Sequence, residues 1–333
     1  MRVKKFLVLL FMVFFVGLLI AGGWFVQTLN SVNSAGPLPK TKIVLIERGK
    51  GVSAIGDILE HEQVIRSALI FKIMVKLEGD ARPLKAGEYE FPAGVTQHDA
   101  LEMMREGKVY DRKVTLPEGV TSWQVVETLK TLADMTGEPT EIPAEGTLLP
   151  ETYHYIKNDD RVALLGKMKV AMDKTVAELW PTREADSPIK NEQELLVLAS
   201  IVEKETGVAS ERAKVAGVFI NRLNKGMPLQ SDPTVIYGIT KGEIQDEGQG
   251  PLGRRLLSKD LEVDTPYNTY MNAGLPPTPI ANPGRASIEA VLHPEKHEFI
   301  YFVADGTGGH VFARTLDEHN NNVAHWRKIR KSQ

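Results

Sequence analysis

The longest apolar run of the chain lies near its N-terminus. Residues Phe6 to Val26 contain no charged residue and no proline, and Arg2, Lys4 and Lys5 precede them. About 20 apolar residues in a helix span the roughly 30 Å hydrocarbon core of a membrane, and basic flanks stay cytoplasmic. The pattern predicts a cytoplasmic N-terminus (residues 1–5), an uncleaved transmembrane anchor and a body in the periplasm or its equivalent. A cleaved signal peptide is the alternative, although its apolar region is usually only about 7–15 residues long.

A polar segment and then a recurring pattern follow the predicted anchor. Residues 27–42 are a predicted linker, rich in Ser, Gly, Pro and Lys and without periodicity. A strand-forming run, then Gly-Val-Ser or Gly-Val-Thr, then a helical run occurs three times after it. The hydroxyl residues Ser53, Thr96 and Thr121 are predicted helix N-caps, because a hydroxyl oxygen accepts an orphan backbone N–H at that position. Gln124 follows Thr121 at the spacing of a capping box.

The elements predict an α+β protein with two domains beyond the linker. Residues 43–108 form a small α+β module, and its strand–Gly–helix start resembles a LysM-like module, which binds the N-acetylglucosamine-containing glycans of cell walls. Residues 109–333 form a larger mixed α/β domain, in which a helix is predicted from Ser210 to Leu223. Residues 299–316 are a predicted β-hairpin, and a terminal helix follows it.

The clearest helical pattern runs from Glu192 to Glu205. At about 100° per residue, Glu205 falls within about 40° of the apolar direction of this helix and Glu203 lies about 120° away from it. Glu203 is therefore expected on the solvated face, whereas Glu205 is a carboxylate directed towards the core. Burial raises the pKa of a carboxyl group, as a general acid at neutral pH requires. The alternative is an ion pair between Glu205 and a buried arginine, such as Arg212 or Arg222.

Composition excludes several classes of protein. The chain has 333 residues, 42% of them hydrophobic, no cysteine and a net charge of -3, so a disordered chain, a disulfide scaffold and a thiol nucleophile are excluded. A nucleic-acid partner is not expected, because such proteins are usually basic. His293 and His297 lack a third metal ligand, and the glycine-rich run 306–309 lies in a hairpin rather than before a helix. No metal and no cofactor are predicted.

Six ordered segments together resemble the YceG-like endolytic murein transglycosylases. They are ASIVEKET (199–206), ERAKVAGVFINRL (211–223), LQSDPTVIYG (229–238), PYNTY (266–270), GLPPTPIANPG (274–284) and YFVADGTGGHVF (301–312). The segments KAGEYEF (85–91) and EGTLLPETY (145–153) fit as well. Leu149, Glu151 and Thr278 depart from the residues usual in the family, which weakens any exact statement about the segment 145–153.

The resemblance implies an activity, a location and partners. The family cleaves the β-1,4 bond between N-acetylmuramic acid and N-acetylglucosamine within nascent glycan strands, leaves 1,6-anhydromuramic ends and so terminates elongation. Its essential acid is the second Glu of the EKE triplet, which is Glu205 here. The implied location is the inner membrane, with a single pass and a periplasmic catalytic domain. The implied partners are peptidoglycan strands, the inner membrane and peptidoglycan synthases of the penicillin-binding type.

Loops rich in sugar-binding side chains supply the remaining predicted site. The predicted substrate-binding residues are Gln230, Ser231, Asp232, Tyr237, Tyr267, Asn268 and Tyr270. Asp232 before Pro233, and Asn268, are also typical turn residues, so a purely structural role is the alternative for them. Two other functions stay open: a lysozyme-like hydrolase with Glu205 as acid and Asp232 as base, and a non-catalytic wall-binding protein.

Overall fold

The chain divides after Arg112 into two units in the computed structural model, which describes residues 11–20, 22, 23, 27, 32–77, 82–244 and 251–332. The first unit contains the strands β1 (Lys42–Ile46) and β2 (Gly87–Phe91) and the helices α1 (Val52–His61), α2 (Ala68–Leu77) and α3 (Gln97–Glu106). The two strands pair antiparallel, with Val44 opposite Tyr89. The order strand–helix–helix–strand therefore precedes α3.

The core of the first unit follows the two-residue period of β1. Val44 and Ile46 are buried while Ile43 and Leu45 are exposed, because successive side chains of a strand point to opposite faces. The buried side chains of β1 pack with those of β2 and the helices in one apolar cluster. That cluster also contains Val32 and Leu38, and the Gly94 amide donates to the Leu38 carbonyl at 2.9 Å. Two residues of the predicted linker, Val32 and Leu38, therefore contribute buried side chains to this cluster.

The predicted helix caps differ in outcome. Thr96 accepts from the Asp99 amide, and Thr121 forms the predicted capping box with Gln124, so both predictions are confirmed. The prediction for Ser53 is wrong. Gly51 is the N-cap of α1, and the helix begins at Val52, which places Ser53 inside the first turn.

The predicted anchor Phe6–Val26 lies largely outside the described residues. Its residues 11–20 are helical, and the apolar side chains among them are exposed. Within the part of the chain that is described, no helix has the length and apolar character needed to cross a membrane.

The second unit is mainly helical, with two small sheets. Its elements are β3 (Arg112–Thr115), α4 (Ser122–Lys130), β4 (Thr152–Tyr155), α5 (Arg161–Leu179), α6 (Glu192–Glu205), α7 (Arg212–Asn224), α8 (Asp232–Thr240), α9 (Arg285–Leu292), β5 (Tyr301–Ala304), β6 (His310–Ala313) and α10 (Leu316–Ser332). β3 pairs with β4, and β5 pairs antiparallel with β6. The predicted hairpin, terminal helix and mixed α+β class are confirmed.

Helix α6 lies in the largest apolar core. Its residues Leu195, Leu198 and Ile201 are fully buried, and they pack in a cluster with residues of α7 and α9. The bounds predicted for α6 are confirmed. Helix α7 begins at Arg212 rather than at Ser210, because residues 209–211 form a 3-10 turn before it. Because one side of α6 is buried in this core, the position of its last residue, Glu205, is fixed.

Candidate active site

Glu205 is the last residue of α6 and lines a cavity of about 520 Å³. The helix ends there because Thr206 adopts an extended conformation. The cavity is built from α6, α7, the start of α8, the loop at Tyr270, β5 and α10. Its lining residues are Glu205, Arg222, Leu229, Gln230, Asp232, Tyr270, Tyr301, Phe302, Val303, Leu316, His319, Asn320 and Val323. All of them belong to the second unit.

Ser231 orients the Glu205 carboxyl group. Its hydroxyl donates to Oε1 of Glu205 at 2.5 Å. Ser231 is 1% exposed, and its amide donates to the Thr269 hydroxyl at 3.0 Å. Gln230, just before it, has a φ of 50°, which is unusual for a residue other than glycine. The serine is therefore held in place by tertiary contacts rather than by a relaxed local backbone.

The pKa of Glu205 is raised to about 7, mainly by burial, and the nearby negative charge of Asp232 acts in the same direction. The hydrogen bond from Ser231 and the positive charge of Arg222 act in the opposite direction. A carboxyl group with this pKa can both donate and accept a proton near neutral pH, as a general acid and base requires.

Asp232 and Tyr270 form the second polar pair of the cavity. Asp232 is the first residue of α8, and it accepts a 2.6 Å hydrogen bond from the Tyr270 hydroxyl. Burial raises the pKa of Tyr270, and the bond to Asp232 adds to this effect. Gln230, Ser231, Asp232 and Tyr270, four of the predicted substrate-binding residues, therefore lie together around Glu205.

The other three predicted substrate-binding residues do not line this cavity. Asn268 is fully buried, and its amide donates to the carbonyls of Leu261 and Val263. Tyr237 and Tyr267 pack edge to face at 4.9 Å, and the Tyr267 hydroxyl lies 2.8 Å from the Thr278 hydroxyl. The side chains of these three residues are thus engaged in holding the loops around α8 together.

The alternative, an ion pair between Glu205 and a buried arginine, is not what the structure has. Arg222 donates to the backbone carbonyls of Ile300 and Leu229. Arg212 lies 3.2 Å from Glu118 and 3.6 Å from Glu203 instead.

The expectation of a solvated Glu203 is wrong. Its side chain is 5% exposed, and its carboxylate accepts from the Gly284 amide at 2.9 Å. Through this hydrogen bond and the contact with Arg212, Glu203 connects the end of α6 to the start of α9. The helical wheel failed here because another segment covers the polar side of the helix.

A second carboxyl group, Glu145, has a similar environment outside the cavity. It accepts from the Ser122 amide at 2.7 Å and from the Asn282 side chain at 3.3 Å. Burial raises the pKa of Glu145 to about 7, against the effect of hydrogen bonds from Ser122 and Tyr237. Glu145 lies in the segment 145–153 that fits the family resemblance, but no sequence pattern assigns a role to this residue.

The wall that α10 contributes to the cavity was not predicted from the sequence. His319 stacks on the Tyr301 ring with centroids 5.0 Å apart, and Asn320 lies beside it in the cavity lining. Burial lowers the pKa of His319, and the positive charge of Arg222 lowers it further. Only the weak apolar spacing of Leu316 and Val323 marks the inner face of this helix in the sequence.

Metal-ion chemistry has no candidate site among residues 11–20, 32–77, 82–244 and 251–332. No group of three or more His, Asp or Glu side chains in these ranges is arranged to hold a metal ion. The cavity around Glu205 is lined by two carboxyl groups, one guanidinium and several hydrogen-bonding groups.

Comparisons with known proteins point to one family. The profile of the YceG-like family matches residues 44–325. The endolytic murein transglycosylase of Bacillus subtilis (strain 168) is 33% identical, with 91% of this chain and 89% of the relative covered. The endolytic murein transglycosylase of Streptococcus pneumoniae serotype 2 is 32% identical over 97% of this chain, which spans 65% of that relative.

A crystal structure is also similar to this chain. A yceG-like protein from Listeria monocytogenes is 34% identical and superposes with a TM-score of 0.51, covering 85% of this chain and 99% of that one.

Proposed function

The chain belongs to the YceG-like family, and on that premise we propose that it is an endolytic murein transglycosylase. It cleaves the β-1,4 bond between N-acetylmuramic acid and N-acetylglucosamine within nascent glycan strands. The products carry 1,6-anhydromuramic ends, and cleavage terminates strand elongation. The observation that carries this proposal is the placement of Glu205 in a cavity, with a pKa of about 7 and a hydrogen bond from Ser231.

One carboxyl group can perform both proton transfers of this reaction. Glu205 in its protonated form donates to the glycosidic oxygen as the bond from C1 breaks. The resulting carboxylate then takes the proton from the C6 hydroxyl of the same sugar, whose oxygen attacks C1. This attack is intramolecular, so it gains from proximity and needs no activated water. Ser231 supports the carboxylate form between the two steps, because it donates to Oε1.

Hydrolysis is the second candidate function, and Asp232 is the observation that favours it. Asp232 lines the same cavity as Glu205. A glycosidase that uses water normally has two carboxyl groups flanking the bond, one as acid and the other as base or nucleophile. Glu205 and Asp232 would take these two roles. Tyr270 would then hold the Asp232 carboxylate in position.

Mass spectrometry of digested glycan strands separates these candidates. Anhydromuramic ends support transglycosylation, whereas reducing ends with incorporated water support hydrolysis by Glu205 and Asp232. Release of no fragments by the intact protein would favour a non-catalytic wall-binding protein and contradict both enzymatic proposals.

The proposed enzyme works from the inner membrane, with its body in the periplasm. The support is the uncharged run Phe6–Val26 behind three basic residues. Digestion of the body by protease added to intact spheroplasts is expected. Protection of the body, or a mature N-terminus near Ala35, would contradict the proposal.

Residues 43–108 are a LysM-like glycan-binding module in this proposal. The support is the order strand–helix–helix–strand with antiparallel β1 and β2. The module positions the strand and contributes affinity but no chemistry. A chain that lacks 43–108 is expected to bind sacculi more weakly. Full affinity and activity of that chain would contradict the role.

Peptidoglycan synthases of the penicillin-binding type are the proposed protein partners, and this rests on the family resemblance alone. Co-purification of a synthase with the anchored protein, after crosslinking in cells, is the expected result. Its absence would restrict the partners to glycan strands and the membrane.

A further inference from the structure

Arg222 is a buried cation that lacks a carboxylate partner. Arg105, Arg161 and Arg222 are each at most 6% exposed. Arg105 lies 2.7 Å from Glu102, and Arg161 lies 3.7 Å from Glu138. Across the described ranges, Arg222 has no carboxylate oxygen within 4 Å. An unpaired buried charge is costly, so its presence in the cavity of Glu205 needs an explanation.

The guanidinium of Arg222 is fixed, and one side of it is free. Nε donates to the Ile300 carbonyl at 2.7 Å, and Nη1 donates to the carbonyls of Leu229 at 2.8 Å and Pro228 at 3.3 Å. Nη2 has no hydrogen-bond partner in the part of the chain that is described. Because the guanidinium is planar and Arg222 lines the cavity, the two N–H groups of Nη2 are preorganised donors for a bound molecule.

The surrounding wall suits an anion. The guanidinium carbon of Arg222 lies 5.3 Å from the centre of the Tyr301 ring. His319 stacks on the same Tyr301 ring. The pKa of His319 is lowered, so its ring is neutral near pH 7 and adds no second charge. Asn320 adds an amide beside it. This side of the cavity therefore combines one fixed positive charge with neutral polar groups, while the carboxyl groups of Glu205 and Asp232 line the same cavity.

We propose that Arg222, Tyr301, His319 and Asn320 form a subsite for a carboxylate of the muramyl unit. This inference rests on the proposed function and specifies how that site selects its substrate. In an alternating strand, only every second sugar carries the lactyl group or the peptide attached to it, and N-acetylglucosamine carries no carboxylate. A cation fixed beside Glu205 would therefore set the register of the strand and place the correct bond at the acid.

The carboxylate has two chemical sources, which three substrates separate. The first substrate is uncrosslinked strands with peptides. The second is the same strands after carbodiimide coupling to ammonia, which turns carboxylates into neutral amides. The third is strands stripped of peptides by an amidase, which carry only the lactyl carboxylate. For the wild-type protein, amidation is expected to raise KM roughly tenfold or more, with a smaller change in kcat. A KM raised by amidation assigns the carboxylates of the peptide, because the lactyl carboxyl is free only after the peptide is removed. A low KM on stripped strands shows that the lactyl carboxylate also fills the subsite, and a high KM restricts the subsite to the peptide.

A matched pair of variants tests the residue itself. Arg161 also donates to three backbone carbonyls and does not line the cavity, so Arg161→Gln is the control for Arg222→Gln. Both are expected to lower the melting temperature. Only Arg222→Gln is expected to raise KM on peptide-bearing strands and to lose the distinction between native and amidated strands.

Two results would overturn the subsite. One is a wild-type KM that amidation leaves unchanged, and this test needs no variant that folds. The other is a folded Arg222→Gln protein that still prefers native over amidated strands. Failure of the wild-type protein to cleave any strand would instead count against the proposed function. In that case, binding of the three substrates to the Glu205→Gln protein still decides the subsite.

Discussion

The hydroxyl of Ser231 donates a 2.5 Å hydrogen bond to Oε1 of Glu205 and so connects the residue before α8 to the last residue of α6. The Ser231 amide in turn donates to the Thr269 hydroxyl. Three segments that are distant in sequence thus fix one carboxyl oxygen. The other oxygen, Oε2, accepts no hydrogen bond from the residues that the structure describes.

Ser231→Ala is expected to raise the pKa of Glu205, because the hydrogen bond favours the charged carboxylate. The alkaline limb of the pH–activity profile, where the acid loses its proton, should move to higher pH. The rate at the optimum should fall several-fold, since the carboxyl group is less well oriented. The pH dependence of kcat/KM on glycan strands measures both effects. Ser210→Ala, at an exposed position, is the control, and an unshifted limb in Ser231→Ala would contradict the expectation.

Glu205→Gln is expected to reduce cleavage by about 10²–10⁴-fold or more, because the amide cannot donate the proton and one group serves both steps. The fold should persist, since burial of the neutral amide costs less than burial of a carboxylate. Release of anhydromuropeptides and a thermal melt measure the two outcomes. Glu192→Gln, on the exposed start of the same helix, is the matched control. An active Glu205→Gln protein, or one inactive only through unfolding, would remove Glu205 from the mechanism.

Glu203→Ala is expected to lower the free energy of unfolding by about 1–3 kcal/mol, because the Gly284 amide and Arg212 lose a buried acceptor. Denaturant unfolding measures this loss, with Glu192→Ala as the exposed reference. Equal stability of the two variants would mean that Glu203 is solvated in solution.

Asn268→Ala is expected to change the stability of the protein, and Gln230→Ala is expected to change substrate binding. Asn268→Ala should lower the free energy of unfolding by about 1–3 kcal/mol, because two buried carbonyls lose their donor. Gln230 is exposed in the cavity, so Gln230→Ala should leave the melting temperature unchanged and raise KM. Melting curves and KM values on the same strands test the pair. An unchanged melting temperature in Asn268→Ala with a raised KM would instead make Asn268 a substrate ligand.

The stability of the protein should fall as pH rises through neutrality. Glu145 and Glu205 have pKa values of about 7, above the ordinary value of 4.5, so the folded state binds more protons than the unfolded state between these values. Their contribution is therefore complete below about pH 4.5 and is lost as pH rises through about 7. Urea unfolding from about pH 5 to about pH 8 should show a flatter dependence in Glu145→Gln than in the wild type. Parallel curves would contradict this.

Local sequence signals predicted the elements well. The helical pattern from Glu192 to Glu205 predicted both ends of α6, and the pairing of Thr121 with Gln124 marked the start of α4. Such signals act over one or two helical turns, so they need no knowledge of the rest of the fold. Ser53 shows their limit, because it lies two positions after the N-cap Gly51, inside the first turn, and so does not cap the helix.

The missed parts of the site depend on contacts between distant segments. The wheel placed Glu205 correctly, but it could not show that the loop before α9 covers Glu203. Nor could it show that α10 returns to Tyr301, because the stacked His319 belongs to a helix that is polar almost all round. The hydrogen bonds of Arg222 could not be predicted for the same reason, because the carbonyls that accept them belong to two other segments.

The distance along the chain between Glu205 and the α10 wall also bears on when the enzyme becomes competent. Contacts between residues far apart in sequence carry a high loop-closure entropy and tend to form late in folding. We therefore expect partly folded chains to have a formed α6 and no cavity. Such chains could carry the acid without being able to hold a glycan strand against it. Wall-cutting activity would then emerge only at the end of folding.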